Sequence, residues 1–260
     1  MKKIFLLFLG LILYAGEVIH ICDDSAQWPP FIFKKNINGK EKLVGVSVDI
    51  ADEVFKRIGK NYKIDLIPWK RCLYLVENYD KVHIYEMFMD GTYSKKRAEN
   101  FYLTDSIYHT HPVIWFNKDK YTKEEFKKII HTNPDKLRYC DVNGYQVAKY
   151  HKFLGVSKDK KIDQGAKSSC DALRKISENR CDAMIAAYEG MIGYKVTGQC
   201  KIPENITYID IPVKHKTEFY MFIAKKYPKA KTLLNEINTA LKEMKKDGTY
   251  QKILDKWLKF

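Results

Sequence analysis

The sequence contains no Cys-x-x-Cys, no His-Glu-x-x-His and no cysteine–histidine spacing of a zinc site, so no metal and no cofactor is expected. The Ser/His/Asp and Cys/His arrangements that would mark a nucleophilic hydrolase are also missing, and catalysis is not expected. Beyond residue 16 no apolar run approaches the roughly 20 residues a membrane-spanning helix needs. Internal repeats and low-complexity linkers are absent as well, which leaves a chain without obvious seams. What is present suits a folded core: 260 residues, 45% hydrophobic and 30% charged, enough for one large domain or two lobes and unlike a disordered or fibrous chain.

Acidic residues are the scarcer sign, 32 against 46 Lys plus Arg, for a net charge of +14. A basic balance raises nucleic acid or an anionic surface as a partner. Here the lysines fall in pairs along the whole chain, among them Lys34-Lys35, Lys95-Lys96, Lys160-Lys161 and Lys245-Lys246. Dispersed pairs describe a solvated surface rather than one binding stripe, so no nucleic-acid partner is expected.

Residues 1–16, MKKIFLLFLGLILYAG, set Lys2 and Lys3 ahead of an apolar run over 4–14, with Ala15 and Gly16 behind it. This is the pattern of a secretory signal peptide cut after Ala15 or Gly16. The expected location is therefore periplasmic, and loss of Lys2 and Lys3 brings the charge from +14 to +12. Export also changes the reading of Cys22, Cys72, Cys140, Cys170, Cys181 and Cys200, which would mature in an oxidising compartment and are expected to form disulfides. Six cysteines allow 15 pairings, and the sequence does not choose among them.

Hydrophobic patterning predicts strands over 18–22, 63–68 and 84–89 with helices over 48–58 and 69–78 between them. A long β-type segment over 108–116 leads to a Lys-rich helix over 122–131. A second series follows: strand 137–142, helices 146–154 and 169–178, strand 182–187, helix 189–194 and strand 206–211. Strand 219–224 and helices around 233–244 and 249–258 close the chain. Two alternating series predict an α/β fold of two lobes, each a mostly parallel sheet flanked by helices.

Four segments, in order, resemble one family. Trp28-Pro29-Pro30-Phe31, followed by Gly45-Val46-Ser47-Val48-Asp49, is similar to its opening motif. Thr92 to Ala98, with Thr104-Asp105-Ser106-Ile107-Tyr108, resembles its central "T-x-x-R" segment. Arg180-Cys181-Asp182-Ala183 resembles "R-x-D-A", and Asp247-Gly248-Thr249-Tyr250 with Ile253 and Trp257 resembles its C-terminal motif. The family is that of the bacterial extracellular solute-binding proteins for polar amino acids, receptors of ABC importers with the type II periplasmic binding protein fold. Pro68-Trp69-Lys70-Arg71 resembles the signature of one branch.

The resemblance implies a monomer that closes two lobes over a small polar ligand, an amino acid or a derivative, and hands it to a membrane ABC permease. It implies a first lobe from 17–110 and 214–260, a second from 111–213, and hinge crossings over 109–116 and 211–216. Arg97 matches the arginine that grips the ligand carboxylate, a task suited to a planar guanidinium. Thr92 matches the hydroxyl on the same carboxylate, and Gly91 is expected to let backbone approach it. Gly144-Tyr145-Gln146, between a strand and a helix, is expected to complete the anion pocket with free backbone N–H groups. Trp28 and Trp69 match positions lining the ligand side chain, whereas Arg71 is assigned to a solvated helix face. The family's acidic partner for the ligand ammonium falls at Ala187, leaving Asp90, and after it Glu189, as substitutes. The competing expectation is an exported enzyme on the same scaffold, similar to cyclohexadienyl dehydratases, with Asp90 or Glu189 as a general acid.

Overall fold

The computed structural model describes residues 17–213 and 216–258, so the predicted signal peptide lies outside the described residues, as do positions 214–215 of the second crossing. The chain runs through β1 (Val18–Asp24), the hairpin β2 (Phe33–Ile37) and β3 (Lys40–Val44), α1 (Val46–Arg57), β4 (Asn61–Ile67), α2 (Trp69–Glu77) and the single turn α3 (Tyr79–Val82). It continues with β5 (Met87–Thr92), α4 (Lys95–Asn100), β6 (Phe101–Leu103), β7 (Tyr108–Thr110), β8 (Pro112–Asn117), α5 (Lys123–Thr132), β9 (Cys140–Val142) and α6 (Ala148–Phe153). It ends with β10 (Asp163–Ala166), α7 (Ser169–Ser177), β11 (Ala183–Ala187), α8 (Tyr188–Thr197), β12 (Ile206–Asp210), β13 (Thr217–Ala224), α9 (Ala230–Asp247) and α10 (Thr249–Leu258).

The first sheet has the order β4-β1-β5-β13-β6, with β7 also on β13. β1 pairs in parallel with β4 and β5, as strands joined by the crossover helices α1 and α2 must. β13 joins antiparallel from the far end of the chain. One core accordingly unites residues 19–108 with residues 219–244, including Leu233, Ile237, Leu241 and Met244 of α9.

The second lobe departs from the expected parallel sheet. β8 pairs antiparallel with both β11 and β12, while β9 and β10 pair in parallel and one Tyr139–Ala183 bridge links the two groups. The physical reason is that β8 enters directly from β7 as extended chain, with no crossover helix to force a parallel neighbour. Because side chains alternate along a strand, β8 sends Val113 and Trp115 to one face and Ile114 and Phe116 to the other. Each face holds its own core, so this lobe is a sheet covered on both sides.

The six cysteines pair as Cys22–Cys72, Cys140–Cys181 and Cys170–Cys200. The first staples β1 to α2 and the other two lie in the second lobe, with no bridge between the lobes. In the chain-entropy picture loops of this size contribute about 4 kcal/mol apiece.

Candidate functional site

A cavity of about 100 Å³ opens between the two sheets, walled by β1, β5, α2 and α4 on one side and by β8, the 145–147 turn, α7 and β11 on the other. It sits beyond the carboxyl ends of β1 and β5, where parallel strands leave backbone groups and side chains free for a ligand. Four charged side chains face it: Asp23, Asp24, Asp90 and Arg97.

Arg97 is 6% exposed and lies on α4, whose start is fixed by the Ser94 hydroxyl accepting the Arg97 backbone N–H. Its Nη1 donates to the Thr92 carbonyl at 2.8 Å and approaches the Thr92 hydroxyl at 3.5 Å, while Nη2 reaches the Gly144 carbonyl at 3.5 Å. The guanidinium stands 5.5 Å from the Trp69 ring centre and 5.8 Å from that of Phe222. Among the described residues no carboxylate pairs with it, and burial alone pulls its pKa down to about 10. A buried cation without a counter-ion is costly, and an incoming anion removes that cost.

The same wall carries the acidic groups, at the ends of β1 and β5. Asp90 occupies a left-handed backbone position, φ 56°, which a non-glycine residue rarely adopts. Its Oδ1 accepts from the Ser47 hydroxyl at 2.5 Å and the Tyr108 hydroxyl at 2.7 Å, and Tyr108 is locked between Phe31 and Phe219 by stacking. Asp23 lies beside it, and Oδ2 of each carboxyl is buried without a partner. Burial lifts the Asp90 carboxyl to about 6, and burial with the nearby Asp90 lifts Asp23 well above the carboxylate range. Asp24, raised by burial, accepts from the Ala26 N–H at 3.0 Å and the Tyr145 hydroxyl at 3.3 Å.

Of the residues singled out in the sequence, Trp28, Trp69, Asp90, Thr92, Arg97, Tyr145 and Gln146 all line this one cavity. Three others act differently. At Gly91 a Cβ would meet Phe222 at 2.5 Å and Phe88 at 2.8 Å, so glycine is required by aromatic packing. At the Gly144 turn α6 starts only at Ala148, the Tyr145 N–H is taken by the Val142 carbonyl, and the Gly144 carbonyl faces Trp69 Nε1 and Arg97. Glu189 is not among the residues lining the cavity; it accepts from the His111 backbone N–H at 2.9 Å and meets His111 Nδ1 at 2.5 Å. Arg71 is exposed, as expected.

Sequence reasoning missed Asp23 and Asp24, the last residues of β1, because the strand was ended at Cys22. Their signal was position, since acidic residues at the carboxyl end of a buried parallel strand are seldom idle. Tyr150 and Ser169 of the second lobe and Phe219 of β13 also line the cavity. Tyr150 hydrogen-bonds the Thr217 hydroxyl, a link between second lobe and returning strand that spacing could not reveal.

The lobes and cleft define a two-lobed binding protein. The chain belongs to the bacterial extracellular solute-binding proteins, family 3, which matches over residues 21–260. No curated protein matches it. Among solved structures, the arginine-, lysine-, histidine-binding protein ArtJ from Geobacillus stearothermophilus is similar at 18% identity and TM-score 0.71, covering 93% of this chain and 95% of that one. An ancestral arginine-binding protein bound to arginine is similar at 20% identity and TM-score 0.71, covering 92% and 97%. So is an ancestral amino acid-binding protein described as a precursor of cyclohexadienyl dehydratase, at 20% identity and TM-score 0.70, covering 93% and 96%. At these identities the likeness is one of fold.

Proposed function

We propose that the exported chain is a periplasmic receptor that closes its two lobes over an amino acid or a close derivative and presents it to a membrane ABC permease. The lobes in this reading are 17–110 with 214–260, and 111–213, hinged at the two crossings. The observation that carries it is Arg97, a buried guanidinium without a counter-ion facing the cleft between the lobes. A carboxylate bound there gains charge-assisted hydrogen bonds, with the Thr92 hydroxyl beside it. The aromatic walls of Trp28, Trp69 and Tyr145 then cover the rest of the ligand. Nothing in this role calls for bond making.

The observation that favours a second reading is the Asp23 carboxyl beside Asp90, which burial pushes well above the usual carboxylate range, a group of the kind a dehydratase on this scaffold would use as general acid. A thermal-shift screen of the purified protein against the amino acids tests the receptor reading. The expected result is a rise in melting temperature with a few of them. No response to any of them, together with product formation from prephenate or arogenate, would move the assignment to the enzyme.

A further inference from the structure

We infer that the cleft selects a ligand of net positive charge, a carboxylate for Arg97 carried together with more than one cationic group, and that this preference depends on a proton shared by Asp23 and Asp90. The inference rests on the receptor reading and adds the class of ligand.

In the parallel register Ile21 faces Met87 and Cys22 faces Phe88, so the ends of β1 and β5 bring Asp23, Asp24 and Asp90 together at one point. Asp23 is 2% exposed and Asp90 8% exposed, each with an orphaned Oδ2. Two neighbouring carboxyls cut off from water do not both ionise, so the pair holds one proton. With that proton, the charged groups facing the cavity leave one negative charge in excess.

A zwitterionic amino acid would leave that excess uncompensated in a closed cleft, whereas a ligand with a second cationic group cancels it. The groups packed around Asp90 supply no cation of their own. They are Ser47 from α1, Tyr108 from β7, and Asp23 from β1, with Asp24 next to Asp23 in the chain. Across the cavity stands Tyr145, bonded to Asp24, while Arg97, on the same wall as the carboxyls, is left for the ligand carboxylate. The rings of Trp28 and Phe219, 4.7 Å apart between centres, add a π surface that favours a cation. As the pH falls through about 6, Asp90 takes up a proton too, the excess charge disappears, and the preference goes with it.

Calorimetric titration with three probes tests this: L-arginine, L-citrulline, which keeps its shape without the side-chain charge, and agmatine, which keeps the charges without the carboxylate. At pH 7.5 arginine is expected to bind at least tenfold more tightly than citrulline. That ratio should shrink towards one by pH 5 and should be lost at pH 7.5 in Asp90→Asn. Tyr108→Phe removes a donor to the Asp90 carboxylate while keeping the stacked ring, and should move the acid limb of the ratio to higher pH. Citrulline binding as tightly as arginine, a ratio flat from pH 5 to 8, an unmoved limb in Tyr108→Phe, or no binding of either cation would overturn the inference. If agmatine binds with the acid limb while no amino acid binds, the cation preference stands and the amino-acid reading falls.

Discussion

Arg97 and Asp90 are held in costly states around one small space. Among the described residues the guanidinium has no counter-ion, and the carboxyl is forced up to about 6 by burial despite the Ser47 and Tyr108 hydrogen bonds that favour its charge. A carboxyl whose folded-state pKa is raised weakens the fold as it ionises. Stability contributed by its protonated form is complete below the unfolded pKa near 4 and is lost as pH rises through about 6. Asp90→Asn is therefore expected to raise stability at pH 7.5 by about 1–3 kcal/mol, a melting-temperature gain of several degrees, and to flatten its dependence between pH 4 and 7. Thermal denaturation across that range checks it, and an unchanged or lower melting temperature at pH 7.5 would contradict it.

At the scale of the element, the motifs that mark the family prove to be largely structural. Asp49 from the opening motif accepts from Trp257 Nε1 at 2.7 Å and from Lys256 at 2.6 Å, pinning α10 against α1. Asp182 of "R-x-D-A" is held by Arg138 and Lys120, which lower its carboxyl to about 2, far from the cavity. Asp49→Ala should cost about 1–2 kcal/mol, lowering the melting temperature by a few degrees without altering ligand affinity. Parallel denaturation and titration experiments check both halves of that statement. Period-3.6 and period-2 patterns made most helices and buried strands legible, as with α9 and β13. The hairpin of β2 and β3 escaped because its strands are charged and mostly exposed, although Asn38-Gly39 between them, both at positive φ, carries the turn signal. That the Gly144 carbonyl faces Trp69 Nε1 was not legible, since peptide orientation depends on packing that local sequence does not encode.

Across the whole molecule, α8 of the second lobe receives the Trp28-Pro29 turn of the first, the contact on which the proposed closure would depend. A Cβ on Gly190 would lie 1.9 Å from Trp28 Nε1, and one on Gly193 would lie 2.1 Å from the Pro29 carbonyl oxygen. Two glycines three residues apart on a helix weaken it by about 1 kcal/mol each, and here they form the seat for that turn. The Tyr194 hydroxyl donates to the Gln27 carbonyl, and the Gln199 amide donates to Gln27 Oε1 at 3.0 Å, extending the same contact. Gly190→Ala should leave each lobe folded but hold the cleft ajar, weakening ligand binding at least tenfold and removing the ligand-induced decrease in radius of gyration. Small-angle scattering with and without ligand reads that effect, and a variant that compacts like the parent would show that the seat is dispensable.

The account turns on a ligand carboxylate meeting Arg97 inside the cleft. Calorimetric titration of L-arginine into the parent protein and into Arg97→Gln tests it most directly, with melting temperature as a control for folding. The expected result is one site per chain in the parent and a loss of at least a hundredfold in Arg97→Gln, whose own stability is unchanged or higher because an uncompensated buried charge has gone. Equal affinity in the two proteins would contradict the account.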